Sequence, residues 1–232
     1  MIFYIRKMSR AGSWYCSLVL AVLILLGCES AGQLSASKPK GRIGVVVVDA
    51  GHGGHDRGAR AVFGQNEKEL TLDTSRRLAT ALRQRGFRVV ETRSGDHFVP
   101  LARRVAISNA IRRNDVVFVS VHYNWARRKQ ASGVEVFHNG SPMAQRMAVE
   151  VTRRLERVTP AGERRGAKRG NYHVLRENRK PAILVEPGFL SNASDNRFIQ
   201  SAVNRQRIAE AIVDGIVAIN GGRTGTTSQQ RR

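Results

Sequence analysis

Ile43-Gly44-Val45-Val46-Val47-Val48-Asp49-Ala50-Gly51-His52-Gly53-Gly54 is the stretch on which the fold turns. Ile43 to Ala50 is a short apolar run rich in valine, as in a strand buried on both faces, and it ends in a glycine-rich turn that carries a histidine. Leu70, Thr74, Leu78 and Leu82 then recur four apart, as on one face of a helix, which Gly86 closes. Phe87 to Thr92 reads as a second strand. The alternation continues with a helix at Leu101 to Arg113, a third buried strand at Asp115 to His122 and a fourth at Gly133 to His138. A helix at Pro142 to Val158 follows, then a short strand at Tyr172 to Leu175 and a buried one at Ala182 to Glu186. Ile208, Ile212, Ile216 and Ile219 mark the inner face of a closing helix. Strands that alternate with helices predict an α/β class: a single domain with a twisted, mostly parallel sheet of about six strands, flanked by helices on both faces.

The chain has 232 residues, 41% hydrophobic and 25% charged, which fits one globular domain over residues 42–220 with short appendages. At the front, Arg6, Lys7 and Arg10 precede the apolar Ser17 to Leu26, and Leu25-Leu26-Gly27-Cys28 follows. This resembles a bacterial lipoprotein signal, so residues 1–27 are read as a cleaved signal peptide and Cys28 as the lipid-bearing residue of a membrane-anchored, exported protein. The apolar run from Trp14 to Gly27 is 14 residues long, short of the roughly 20 that span a bilayer. Residues 28–41 read as a linker and 221–232 as a disordered tail.

Cys16 and Cys28 are the two cysteines, and both lie in these leading segments. A thiol metal site or disulfide in the domain is thereby excluded, so a metal has to be held by His, Asp or Glu. The formal charge of +21 favours polyanionic surroundings without choosing among nucleic acid, lipid and wall polymer.

Ligands of open α/β sheets bind beyond the carboxyl ends of the strands. His52 follows the first strand, His122 ends the third, Glu186 ends the last, and Glu67 starts the first helix at the same edge. Four groups suited to metal binding or proton transfer therefore converge. Glu186 carries weight, because the Ala-Ile-Leu-Val run before it buries a carboxylate that is costly unless paired or metal-bound. Asp49 is read as a candidate partner that orients His52. His55, three residues past His52, is a minor ligand candidate, and His97, His138 and His173 read as surface or packing residues.

These residues resemble the zinc-dependent N-acetylmuramoyl-L-alanine amidases. Val48 to Gly54, with Asp56 and Gly58-Ala59, is similar to the family's opening motif, and Glu67 falls at its metal-binding glutamate. Thr92-Arg93, Asp96, Leu101 and Arg104 match its arginine-containing stretch, and Ser120 to Asn124 its second histidine motif. Val174-Leu175-Arg176 and Pro181 lead into Val185 to Asn192, similar to its final glutamate motif. Ala50 and Arg57 stand where proline is common, and neither supplies a ligand. Strand position leaves open which glutamate is the ligand. The resemblance assigns zinc (Zn2+) to His52, Glu67 and His122, and general base and acid catalysis to Glu186. It implies as substrate the amide joining N-acetylmuramic acid to L-alanine in peptidoglycan.

The basic stretch Arg153, Arg154, Arg157, Arg164, Arg165, Lys168 and Arg169 reads most simply as a solvated helix face and loop. Its functional alternative is that Arg165 or Lys168 meets stem-peptide carboxylates. Some members of the family carry a helical insertion over the zinc that a partner protein moves. Only Asn139-Gly140-Ser141 separates the fourth strand from the Pro142 helix, and Val158 to Tyr172 lacks an apolar face, so the expectation is an open, monomeric enzyme that needs no activator. A non-cutting peptidoglycan-binding domain and a metallopeptidase acting on another amide are the rival readings. A nucleic-acid role is disfavoured, since no reading motif accompanies the charge.

Overall fold

The computed structural model describes residues 43–221; the expected signal, lipid site, linker and nearly all of the expected tail lie outside the described residues. Six strands form one sheet in the order β2-β1-β3-β6-β4-β5. They are β1 (Val45–Ala50), β2 (Arg88–Glu91), β3 (Val116–Val121), β4 (Glu135–His138), β5 (Gly166–Arg169) and β6 (Ala182–Glu186). The helices are α1 (Glu67–Gln84), α2 (Leu101–Asn109), α3 (Pro142–Leu155), α4 (His173–Arg176), α5 (Ala193–Gln200) and α6 (Ala202–Ile219).

β1 runs parallel to β2 and β3, and β3 parallel to β6, whereas β4 is antiparallel to β6 and parallel to β5. The carboxyl ends of β1, β3 and β6 and the amino end of β4 therefore share one edge. The period of two divides the strands between two cores. Val46, Val48, Val117, Val119, Ile183 and Val185 pack with α1, α3 and α6 on one face. Val45, Val47, Val116, Phe118 and Leu184 meet α2 and α4 on the other. Among the described residues the buried apolar core runs from Ile43 to Val217.

Two expectations are corrected here. Tyr172 to Leu175 is no strand: the Tyr172 carbonyl accepts from the amides of Leu175 and Arg176 at 3.0 and 2.8 Å, and the segment forms the single helical turn α4. A four-residue apolar run has no period long enough to tell the two apart, and Val174 and Leu175 reach the second core equally well from one turn. The fifth strand lies instead in the expected loop, as Gly166-Ala167-Lys168-Arg169. Its composition is poor for a strand, but it is an edge strand held by its ladder to β4. α2 also ends at Asn109, short of Arg113.

The turn after β1 is held from below by two buried arginines. Asp49 is fully buried and accepts from Thr92 Oγ1 at 2.6 Å, Ser120 Oγ at 2.6 Å and Arg104 Nη1 at 2.8 Å. Arg104 also donates to the carbonyls of Val99, Ala50 and His52, and Arg93 to those of Ala50 and Gly51. These bonds fix His52 in the left-handed region at φ 60°, a conformation that a residue with a Cβ adopts only under local constraint. Arg104→Met should cost about 3–5 kcal/mol, because it strands a buried carboxylate, and denaturant unfolding measures it. A loss below ~1 kcal/mol would show that the pair does not hold the turn.

Candidate active site

Glu67 enters the site from the first turn of α1, beneath the loop after β1. Its Oε1 lies 3.0 Å from His52 Nε2 and 3.0 Å from His122 Nδ1, and accepts from the Tyr123 amide at 3.1 Å. Oε2 accepts from the Ala59 amide at 2.7 Å. One ligand atom from each of His52, Glu67 and His122 lies within 4.8 Å of the others. Two glycines make the room. A Cβ on Gly51 would sit 2.3 Å from the His122 ring, and one on Gly58 would meet Glu67 Oε2 and His52 Cδ2 at 2.7 Å.

The donor set fits a cation by proton counting. His52 Nδ1 contacts Asp56 Oδ2 at 2.9 Å while Nε2 contacts Glu67. A neutral imidazole carries one N–H and can satisfy only one of two carboxylates. The other contact needs either a second proton or a metal ion at that nitrogen. Burial pulls the His52 imidazole down, but the hydrogen bonds and charges of Glu67 and Asp56 outweigh it and leave it raised. Burial likewise pushes Glu67 up, and its bonds to His122 and His52 bring it far below the ordinary carboxylate range.

Glu186 ends β6 beside His122. β3 and β6 pair Val121 with Val185, and the His122 amide donates to the Val185 carbonyl at 3.0 Å, so the register carries both residues to the edge together. The Glu186 carboxyl is buried and its Oε2 has no hydrogen-bond partner. Burial first, then the charges of Glu67 and Glu135, push it well above the ordinary range. Glu135 is its register partner across β4; it is held by Asn124 Nδ2 at 2.8 Å and by Lys168 Nζ.

All four residues singled out at the sheet edge are thus brought to one place. The orienting role expected of Asp49 is not found, because its oxygens are taken by Thr92, Ser120 and Arg104, and Asp56 takes up His52 instead. An acid four residues past the histidine, in a loop rich in glycine, was the signal for it. Glu135 was missed, and its only sign is an acid inside an otherwise apolar strand. Arg165 bonds Ser132 and Glu163 and lies over the Phe189 ring at 4.5 Å, and Lys168 pairs with Glu135, so both are engaged within the fold. His55 stacks on Phe98 with ring centroids 4.2 Å apart; neither it nor His97, His138 or His173 belongs to the cluster.

Fold and edge define an α/β domain whose carboxyl-end cluster is able to hold a metal ion. The sequence model of the N-acetylmuramoyl-L-alanine amidases matches residues 46–218, and the chain belongs to that family of hydrolases. An uncharacterized protein of Bacillus subtilis strain 168, YqiI, is 34% identical over 197 residues, 84% of this chain and 90% of its own. LytH of Staphylococcus epidermidis, a probable cell wall amidase, is 33% identical over 189 residues, 79% of this chain; the match spans 60% of LytH. The solved amidase AmiC2 of Nostoc punctiforme superposes with a TM-score of 0.70 at 35% identity, over 75% of this chain and 96% of that one. The CwlD amidase of Clostridioides difficile, in complex with the GerS lipoprotein, gives 0.71 at 26% identity, over 76% and 98%.

The raised Glu186 carboxyl makes stability depend on pH. The folded state holds this proton more tightly than the unfolded chain, so its contribution is complete below the ordinary glutamate pKa of about 4.3 and is lost as pH rises through the raised value. Glu186→Gln removes that loss. In metal-free protein the stability of the variant relative to the parent should be greater at about pH 8 than at about pH 5. Denaturant titrations at both pH values test it, and a difference independent of pH would count against the strained carboxyl.

Proposed function

We propose that this chain hydrolyses the amide between N-acetylmuramic acid and L-alanine in peptidoglycan, with zinc held by His52, Glu67 and His122 and with Glu186 as general base and acid. The supporting observation is one carboxylate between two imidazoles, with an orphaned second carboxyl at the same edge. Two imidazoles and a carboxylate are a known catalytic zinc set that leaves a position open. Bound there, zinc supplies Lewis acidity, which polarises the amide carbonyl and makes water a nucleophile near neutral pH.

Glu186 takes a proton from the attacking water as the new C–O bond forms, and gives it to the amide nitrogen as the C–N bond breaks. The products are the lactyl carboxylic acid and the free amino end of the stem peptide, and Glu186 returns to its starting state. Its raised proton affinity suits both transfers, because the proton is kept until the departing nitrogen can accept it. Asp56 holds the His52 ring so that Nε2 faces Glu67.

The chain works as an exported lipoprotein anchored through Cys28, as a monomer with an open site and without an activator. The short Asn139-Gly140-Ser141 link between β4 and α3, and the folding of residues 166–169 into the sheet as β5, support the open site. GerS is described as a partner of CwlD, and the same assay that tests the chemistry tests whether this chain needs one.

The purified protein should carry one zinc and release stem peptides from peptidoglycan with no added protein, as read by elemental analysis and mass spectrometry. His122→Ala should lose the metal. Glu186→Gln should keep the metal and lose about 10²–10⁴ in rate; loss of zinc from that variant would mean that the two glutamates have exchanged roles. A requirement for a second protein would rule out the open site. Separately, Cys28→Ser should move the protein from the membrane to the soluble fraction, and unchanged fractionation would dismiss the lipid anchor.

A further inference from the structure

The sheet edge opposite the candidate site gathers positive charge from segments far apart in the sequence. Ile43, where the described domain begins, donates its amide to Asn220 Oδ1 at 2.6 Å and accepts from Asn220 Nδ2 at 3.1 Å. Both ends of the domain thus leave side by side at the amino end of β1. The neighbouring connections carry Arg88 at the start of β2, Arg112 and Arg113 before β3, and Arg179 and Lys180 before β6. Arg169 ends β5 beside Gly140, and Arg146 lies in the first turns of α3, which follows the same edge.

Contacts tie this edge together. The Gly44 amide donates to the Asp115 carbonyl at 2.9 Å, Lys180 Nζ to the Arg113 carbonyl at 2.9 Å, and Asn139 Nδ2 to the Lys180 carbonyl at 2.8 Å. Arg113 pairs with Asp115 and Arg85 with Asp214. Arg88, Arg112, Arg146, Arg169 and Arg179 are exposed, and among the described residues their guanidinium groups have no ion pair or hydrogen bond.

We propose that this basal edge docks on a bilayer, its arginines meeting the phosphates of anionic phospholipid headgroups while the candidate site at the far end of β1 faces away. The choice of lipid rests on the anchoring part of the proposed function and on where the chain leaves the domain. Residues 29–41, fully extended, reach at most about 43–47 Å, so the bilayer stays close to the edge from which the tether departs. Cations act within about 8–10 Å of an anionic surface at physiological salt, and the tether leaves this edge free to come within that range. β1 spans about 20 Å at ~3.3 Å per residue, which keeps the open edge clear of headgroups and turned towards the wall.

Residues 29–232, with the apolar leader left out, are mixed with vesicles of phosphatidylglycerol and phosphatidylcholine, or of phosphatidylcholine alone, and sedimented. Co-sedimentation with the anionic vesicles only, weakened by salt, is expected. The triple variant Arg88→Glu, Arg112→Glu, Arg179→Glu should lower binding at least tenfold while peptidoglycan hydrolysis is unchanged. A control triple with the same change of charge, Arg60→Glu, Arg127→Glu, Arg197→Glu, should bind much as the parent does. Equal losses in both triples would reduce the effect to net charge and overturn the proposal. So would full displacement by a soluble glycerol-phosphate polymer at matched phosphate concentration, which would make the occupant a wall polymer. Fractionation of Cys28→Ser reports on the lipid anchor independently, so failure of the anchor and failure of the docking edge are told apart.

Discussion

The buried pair between Asp49 and Arg104 is the constraint on which the candidate site depends. A guanidinium taken out of water must have its donors satisfied or it costs several kcal/mol. Arg104 meets that condition only when β1 runs through to Ala50, the chain turns left-handed at His52, and α2 starts at Leu101 with Val99 just ahead of it. Arg93 repeats the demand from the β2 side and adds Lys68 and Thr71 of α1. Such a pair contributes less to net stability than to uniqueness, because a shifted register would leave charges buried without partners. The direct contact between His52 and Glu67 is therefore positioned by a polar frame beneath the loop.

That frame supports an arrangement that is unfavourable in itself. Glu67 sits between two imidazoles, and Glu186 is buried opposite Glu135 in the register of β4 and β6. Like charges opposed across strands destabilise a sheet pair. Here the opposition is eased on one side only, since Asn124 and Lys168 hold Glu135 while Glu186 Oε2 is left without a partner. The uncompensated carboxyl is the one assigned to proton transfer, as expected when local strain is retained where chemistry uses it.

The fold was legible where burial leaves a strong pattern. The valine run of β1, the spacing of four along α1 and the isoleucines of α6 each follow from a face packed against a core. β5 left no pattern, because an edge strand half in solvent draws its stability from the ladder, and Gly-Ala-Lys-Arg carries no β signal. α4 was mistaken for a strand because its two buried side chains fit either period. At the site, sheet direction alone placed His52, Glu67, His122 and Glu186 together, since strand ends are set by sequence order. The partner of His52 was not legible in this way: Asp49 is nearer in sequence, but its side chain faces α2, the side on which Arg104 lies, whereas the turn brings Asp56 back over the ring.

Acids and imidazoles gather at one edge of the sheet, and exposed cations without partners lie at the other as well. α1 and α6 end at the basal edge, and helix carboxyl ends favour positive charge by about 0.3–1 kcal/mol each. Arg85, at the end of α1, is accounted for in this way and is also paired with Asp214. Arg88, Arg112, Arg146, Arg169 and Arg179 are not, since Arg146 lies near the amino end of α3 and the others sit in strands or connections. Arg146 lies beyond the first turn of α3 and far from its carboxyl end, so the helix dipole does not account for it. The basal charge therefore exceeds what the fold requires of it, and the excess gathers where both ends of the domain leave.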